Sequence, residues 1–178
     1  PWQWADLSVL TGAPLPNEGS VLIGYAWAAG GTRQVAYVDN RGHVVELFVA
    51  VGGPWQWADL SALAGAPLPN EEAILTGYDW LNGGTRQVAY VDDRGYVIEL
   101  SVAVGGSWQW ADITTLTGAP PLHQKLLSGY SGVWSATRQV ACVNDQGHVI
   151  ELYAGLNGEW RCTDLAAHMP HQGVKKAE

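Results

Sequence analysis

The pentapeptide Trp2-Gln3-Trp4-Ala5-Asp6 returns as Trp55-Gln56-Trp57-Ala58-Asp59 and again as Trp108-Gln109-Trp110-Ala111-Asp112, each time after 53 residues. A decayed fourth copy, Trp160-Arg161-Cys162-Thr163-Asp164, follows after 52. A period of this length makes the chain a repeat array, and its fold must be one in which similar units stack or ring together. Thr-Arg-Gln-Val-Ala recurs around Arg33, Arg86 and Arg138, and a Val-Val/Ile-Glu-Leu phrase around Glu46, Glu99 and Glu151. Gly24-Tyr25, Gly77-Tyr78 and Gly129-Tyr130 keep the same phase. The first two units agree at 40 of 53 positions, so one description serves both.

Each unit reads as β structure. Arg33–Val38 alternates and is rich in β-formers. Asp39-Asn40-Arg41-Gly42 supplies turn chemistry, and Asp92–Gly95 and Asn144–Gly147 repeat it. The four strands predicted for a unit are a (Leu22–Ala28), b (Arg33–Val38), c (His43–Val49) and d (Trp55–Leu60). Gly and Pro in Thr11–Asn17 make that segment a long connection. Helical turns are expected only at Asp6–Leu10 and near Asp164–His168. Four short antiparallel strands per unit is the pattern of a β-propeller blade, favoured over a mostly parallel solenoid because hairpin turns impose antiparallel pairing.

The expected fold is therefore all-β, with three four-stranded propeller blades. The sequence units are residues 1–53, 54–106 and 107–165, the last carrying the final outer strand, and 166–178 form a flexible tail. Closed propellers have about four to eight blades, so three leave an open arc. Two chains closing a six-bladed ring as a homodimer, or a chain that is part of a longer array, would resolve this. The surplus strand at Trp2–Leu7 is a candidate for exchange into a neighbour's last blade.

Composition narrows the function classes. Seventeen acids against nine Lys and Arg give a formal charge of -8, which argues against nucleic acid or an anionic membrane surface as partner. No apolar run approaches the ~18 residues of a membrane helix. There is no nucleophile elbow, phosphate loop or metal-spaced His cluster, so no enzyme, catalytic residue, metal or cofactor is expected. His43 and His148 are equivalent to Tyr96 and read as solvent-facing strand residues. Cys142 and Cys162 lie on strands b and d with one strand between them, too far apart for a disulfide, and read as free thiols.

Ten Trp against one Phe implies Trp placed by rule. An indole offers an apolar face to the C–H side of a pyranose, a guanidinium donates to hydroxyls, and a carboxylate accepts from them. Arg33, Arg86 and Arg138 with Glu46, Glu99 and Glu151 are either structural pairs or polar hooks in a sugar pocket between blades.

The run Val-Ala-Tyr-Val-Asp-Asn-Arg-Gly-His-Val-Val-Glu (Val35–Glu46), followed by Gly-Gly-Pro-Trp (Gly52–Trp55), resembles a blade of the fucose-binding propeller lectins of fungi and bacteria. The resemblance covers residues 1–165. It implies non-catalytic, multivalent binding of glycans or glycoproteins at sites between blades, each made of an Arg, a Glu and a Trp. The Glu carries over to Glu46, Glu99 and Glu151, and the Trp to Trp55, Trp108 and Trp160, with one residue inserted before it. The family's Arg position falls on Val35, Val88 and Val140, whereas this chain has Arg two residues earlier, on the same strand face but ~6–7 Å along. Arg33, Arg86 and Arg138 then complete the expected sugar-binding sets. Family members with few blades per chain assemble into six-bladed rings, similar to the dimer above. The alternative is a structural or protein-interaction scaffold, a fragment or an engineered array, with Arg–Glu pairs inside each unit and buried Trp.

Overall fold

A computed structural model describes residues 4–123, 126–132 and 134–167. Three four-stranded antiparallel sheets follow one another along the chain. Blade 1 is β1 (Ile23–Trp27), β2 (Thr32–Val38), β3 (Val44–Ala50) and β4 (Gln56–Asp59). Blade 2 is β5 (Thr76–Trp80), β6 (Thr85–Val91), β7 (Val97–Ala103) and β8 (Gln109–Asp112). Blade 3 is β9 (Leu127–Gly132), β10 (Thr137–Val143), β11 (Val149–Ala154) and β12 (Trp160–Asp164). The innermost strands β1, β5 and β9 lie side by side in that order. Sheets are offset from the sequence units: blade 1 takes its fourth strand from beyond residue 53, and blade 2 from beyond residue 106.

The outer strands β4 and β8 are shorter than expected, because each one runs into a helix. Asp6, Asp59 and Asp112 cap α1 (Leu7–Thr11), α2 (Leu60–Ala64) and α3 (Ile113–Thr117), accepting from the backbone N–H groups of Val9, Ala62 and Thr115. The expectation of helical turns only near Asp6–Leu10 and Asp164–His168 is thus too narrow. The aspartate of Trp-Gln-Trp-Ala-Asp starts a helix in every unit. Around Asp164 the chain makes only a turn through Ala167, and His168–Glu178 lies outside the described residues.

Trp4–Asp6 pairs with no strand of this chain, and the outer strand of blade 3 is the chain's own β12. The b–c turns behave as read: Asp39 Oδ1 accepts from the N–H groups of Arg41 and His43, and Asp92 and Asn144 repeat this. His43 and His148 are not simply solvent-facing. Each Nδ1 meets the capping carboxylate of its blade, Asp59 at 2.7 Å and Asp164 at 2.8 Å. In blade 2, Arg94 takes over, stacking on Tyr96 and reaching Asp112. Both cysteines are free, Cys142 buried and Cys162 exposed.

The core lies between blades. Leu60 and Ile113, the first residues of α2 and α3, are wholly buried, each contributing about 1.5–3 kcal/mol. The connections after α1 and α2 are each pinned by a tyrosine of the following b strand: Tyr37 donates to the Pro14 carbonyl and Tyr90 to that of Pro67, while Cys142 stands at this position in blade 3. Thus each blade carries the preceding linker against its N-side face.

The a–b turns explain one repeat substitution and yield one prediction. Gly31 and Gly84 sit at φ 62° and 64°, and the equivalent in blade 3 is Ala136 at φ 51°. A Cβ in this left-handed region costs roughly 1–2 kcal/mol. Ala136→Gly should therefore raise stability by about 1 kcal/mol, net of the extra chain entropy, read as a later denaturant midpoint at unchanged slope.

Candidate functional site

The face of a strand is set by parity. Tyr25, Trp27, Glu46 and Phe48 point from blade 1 toward blade 2, while Gly77, Asp79 and Arg86 point back from blade 2. The sequence-predicted Arg and Glu therefore meet across blades, not within a unit. Arg86 Nη2 donates to Glu46 Oε2 at 2.7 Å, and the Tyr25 hydroxyl donates to Glu46 Oε1. Arg138 Nη2 lies 3.4 Å from Glu99 Oε2, and the Tyr78 hydroxyl donates to Glu99 Oε1 at 2.6 Å. The cross-strand pairing expected inside a unit does not occur because Arg33 and Glu46 lie on opposite faces of sheet 1.

Indoles cover these guanidinium groups. Arg86 lies 4.7 Å from the Trp27 ring centre and 5.2 Å from that of Trp108. Arg138 lies 4.9 Å from Trp80 and 5.1 Å from Trp160. Glu46 and Glu99 are 0 % and 1 % exposed. Burial raises both carboxyl pKa values, opposed first by the cation of the next blade and then by the tyrosine hydroxyl. Burial, then the neighbouring carboxylate, pushes the Tyr25 and Tyr78 hydroxyls well above their usual value. Each internal interface is thus a closed set of Tyr, Glu, Arg and two Trp.

The two ends of the arc hold half of that set each. At the N-side face of blade 1, Arg33 is exposed and stacks 5.5 Å from Trp55, with no carboxylate partner among the described residues. At the C-side face of blade 3, Glu151 accepts from the Tyr130 hydroxyl at 2.5 Å, with no cation beside it among the described residues. Burial, then the hydrogen bond to Glu151, raises Tyr130 to about 12. Of the nine predicted residues, Arg33 with Trp55 borders open space, four more with two Trp close the internal interfaces, and Glu151 stands at the far end.

Open space is present at Arg33. A pocket of about 580 Å³ is walled by Trp27, Arg33, Val49, Trp55 and Asp79, with glycines 31, 52 and 53 at its rim. Asp79 closes one side, its Oδ2 accepting from the Ala28 N–H at 2.9 Å. Pockets of roughly 300–1,000 Å³ suit small ligands. Sequence reasoning found Arg33 and Trp55 but missed Trp27 as a stacking partner and Asp79 altogether. Asp79 has no repeat signal: its equivalents are Ala26 and Ser131. Among the described residues no three His, Cys, Asp or Glu side chains gather as metal ligands, and no helix is long and apolar enough to cross a membrane.

No family model matches the chain, and no curated protein does. Solved structures do match it. AofleA from Arthrobotrys oligospora superposes with a TM-score of 0.62 at 17 % identity, over 82 % of this chain and 41 % of that one. The Aleuria aurantia lectin, as a mutant in complex with alpha-methyl-L-fucoside, gives 0.64 at 13 % over 86 % and 47 %. BP39L lectin from Burkholderia pseudomallei gives 0.61 at 16 % over 84 % and 43 %. The chain spans less than half the length of each. A further structure of the Aleuria aurantia lectin is described as a six-bladed β-propeller with a fucose recognition mode, and this chain covers 49 % of it at a TM-score of 0.56. Three four-stranded antiparallel sheets arranged like half of such a propeller place this chain in the fold of the fucose-specific propeller lectins.

Proposed function

We propose that the protein is a non-catalytic carbohydrate-binding propeller, and that its open site is the Arg33–Trp55 pocket. The observation that carries this reading is a sugar-sized space bordered by an exposed guanidinium, two indoles and a carboxylate. The Trp55 indole stacks on pyranose C–H groups, with Trp27 as an apolar wall, while Arg33 donates to ring and hydroxyl oxygens and Asp79 accepts from hydroxyls. The fucoside complex of a structural relative makes methyl α-L-fucoside the first ligand to test. The tryptophans of the wall provide the signal. A saturable change in tryptophan fluorescence on titration with the fucoside is expected, and it should vanish in Trp55→Ala. No saturation by roughly 10 mM, a free energy weaker than about -2.7 kcal/mol, for the fucoside or for a panel of other neutral monosaccharides would overturn the reading.

A second reading, a protein-interaction scaffold, is favoured by the closed state of the internal sets. Glu46 and Glu99 are spent on their Arg and Tyr partners, and Trp27 and Trp80 are buried over those cations. A propeller used only as a scaffold would give no response to any sugar in the same titration.

A further inference from the structure

The guanidinium groups enclosed between blades carry one polar atom that the Tyr, Glu and Arg contacts do not use. Arg86 commits Nη2 to Glu46, but its buried Nε meets no hydrogen-bond partner among the described residues. Three further buried atoms of the same interface are in the same condition: Trp27 Nε1, Gln34 Oε1 and Asp79 Oδ1. Between blades 2 and 3 the repeat-equivalents Trp80 Nε1, Gln87 Oε1 and Arg138 Nε follow suit. Buried polar groups are as a rule paired, so two unpaired sets at equivalent positions need a common explanation.

The groups of each set face one another. Gln34 is the cross-strand partner of Tyr25, and Trp27 lies two residues beyond that tyrosine, so both share the face that Tyr25 turns toward Gly77. Asp79 and Arg86 are cross-strand partners on the face of blade 2 that looks back at blade 1. The Arg86 Cζ lies 4.7 Å from the Trp27 ring centre and 5.7 Å from that of Phe48, itself the cross-strand partner of Gln34. In the next interface the Arg138 Cζ lies 4.9 Å from the Trp80 ring centre, and Ser131, cross-strand partner of Arg138, stands in the place of Asp79.

None of these groups is free to close on another, because each is anchored through a different atom. The Gln34 amide is fixed by its Nε2, which donates to Thr32 Oγ1, and Gln87 is fixed in the same way by Thr85. The Trp27 indole lies against Gly30, where a Cβ would stand 2.1 Å from the ring, and Trp80 lies against Gly83, where the figure is 2.2 Å. Asp79 is held through Oδ2 by the Ala28 N–H. Arg86 is held by Glu46 and enclosed by Trp27 and Trp108, and Arg138 is enclosed by Trp80 and Trp160.

We propose that a single water molecule is built into each internal interface, bridging Trp27, Gln34, Asp79 and Arg86 in one and Trp80, Gln87, Ser131 and Arg138 in the other. Two N–H donors and two acceptor oxygens match the two lone pairs and two protons of water. In the second interface the Ser131 hydroxyl is the fourth partner. A metal ion is repelled by the guanidinium, and an anion by the oxygens of Asp79 and Gln34. Ammonium has no lone pair to offer the two donors, so the occupant is a small neutral molecule that both accepts and donates. Blade 3 provides an internal contrast. Gln139 repeats the anchored amide with Oε1 unpaired, but Gly132 stands where the indole would be, so one donor of the set is not there. With Nη2 on the carboxylate and Nε on the water, the guanidinium is fixed at two points of its plane between the indoles. Each site lies wholly between two blades of this chain and is independent of the carbohydrate reading.

A crystal structure of the full chain that shows ordered water tests this directly. The expected result is a density peak in both interfaces, within about 2.7–3.2 Å of the facing N–H nitrogens and acceptor oxygens. Oxygen-17 relaxation dispersion in solution is the second test, since it reports waters held for longer than the protein takes to tumble. Gln34→Met combined with Asp79→Ala strips both acceptors from the first site. The dispersion amplitude should fall by the contribution of one water, with the β-sheet circular dichroism unchanged. Gln139→Met, at the same repeat position but beside no indole, should leave the amplitude as it is. If the double variant does not fold, the crystal structure of the unaltered chain decides alone. No peak in either interface, donors and acceptors closed directly on one another, an amplitude that the double variant leaves unchanged, or an equal fall in Gln139→Met would each overturn the proposal.

Discussion

Arg86→Met is expected to destabilise the protein by about 3–5 kcal/mol, because it leaves the Glu46 carboxylate buried without its cation. Glu46 has no exposure to recruit water, and the Tyr25 hydroxyl alone remains to satisfy it. Spread over a chain of this length, the loss should lower the melting temperature by roughly 6–20 °C. Arg138→Met should cost less. Its contact with Glu99 is 3.4 Å rather than 2.7 Å, beyond the range of a tight charge-assisted hydrogen bond. The pH dependence carries a sign. Burial raises the folded-state pKa of Glu46, and Arg86 is the largest influence pulling it down. A carboxyl raised in the folded state contributes its stability below its unfolded pKa and loses it as pH climbs through the folded value. Removing Arg86 raises that folded value further. The deficit of Arg86→Met should therefore be largest at neutral pH and shrink in mild acid, where Glu46 takes up a proton. Glu46→Gln added to Arg86→Met should recover more than half of the loss, since Gln keeps an acceptor for Tyr25 and carries no charge. Denaturant unfolding of the three variants across pH checks this, and a pH-independent deficit would show that Arg86 acts through packing on its indoles alone.

The architecture was legible because the repeat is nearly exact and every turn carries its own chemistry. Strands β2 and β3 fall within a residue of their expected bounds, since alternation and the Asp39–Gly42 turn fix both ends. The grouping of the site was not legible. Arg33 and Glu46 sit 13 residues apart in one unit, and Glu46 and Arg86 sit 40 apart in two. Period and spacing cannot choose between these, because every unit repeats both residues. Strand parity decides: Ala36 is the cross-strand partner of Glu46, and Arg33 lies an odd number of residues from it, on the other face. That argument was available from the sequence once strands b and c were paired, and it is the signal that would have found the interblade sets. The Gly-Tyr phrase was visible too, but its meaning needs the neighbouring blade. The swap of Trp27 and Gly30 for Gly132 and Ser135 reads as a displaced Trp134 in one dimension and as a Gln139 amide with no indole beside it in three.

Gly77→Ala is expected to cost about 1–3 kcal/mol, the range for forcing volume into a packed interface. The added Cβ would stand 2.4 Å from one ring carbon of Tyr25 and 2.5 Å from the next, with Ile23 at 3.0 Å behind. An exposed tyrosine would swing away. Tyr25 cannot do so without giving up Glu46, whose other oxygen is held by Arg86, so the collision is transmitted into the buried ion pair. Gly129→Ala should behave in the same way through Tyr78 and Glu99, where the nearest ring atoms are 2.3 Å away. Tyr25→Phe with Gly77→Ala then serves as the diagnostic pair. If the glycine matters because its neighbour is tethered, freeing the ring from Glu46 makes the alanine cheaper, and the two changes cost less together than their sum. Strict additivity in a double-mutant cycle would mean that the ring is confined by packing alone. Gly24→Ala provides the contrast at the same repeat position. Its Cβ meets nothing closer than the Gln34 carbonyl at 3.8 Å, so the blade's fold should be left intact at little cost. The same glycine in three sequence-equivalent places thus has two different costs, set by whether a tyrosine of the preceding blade lies against it.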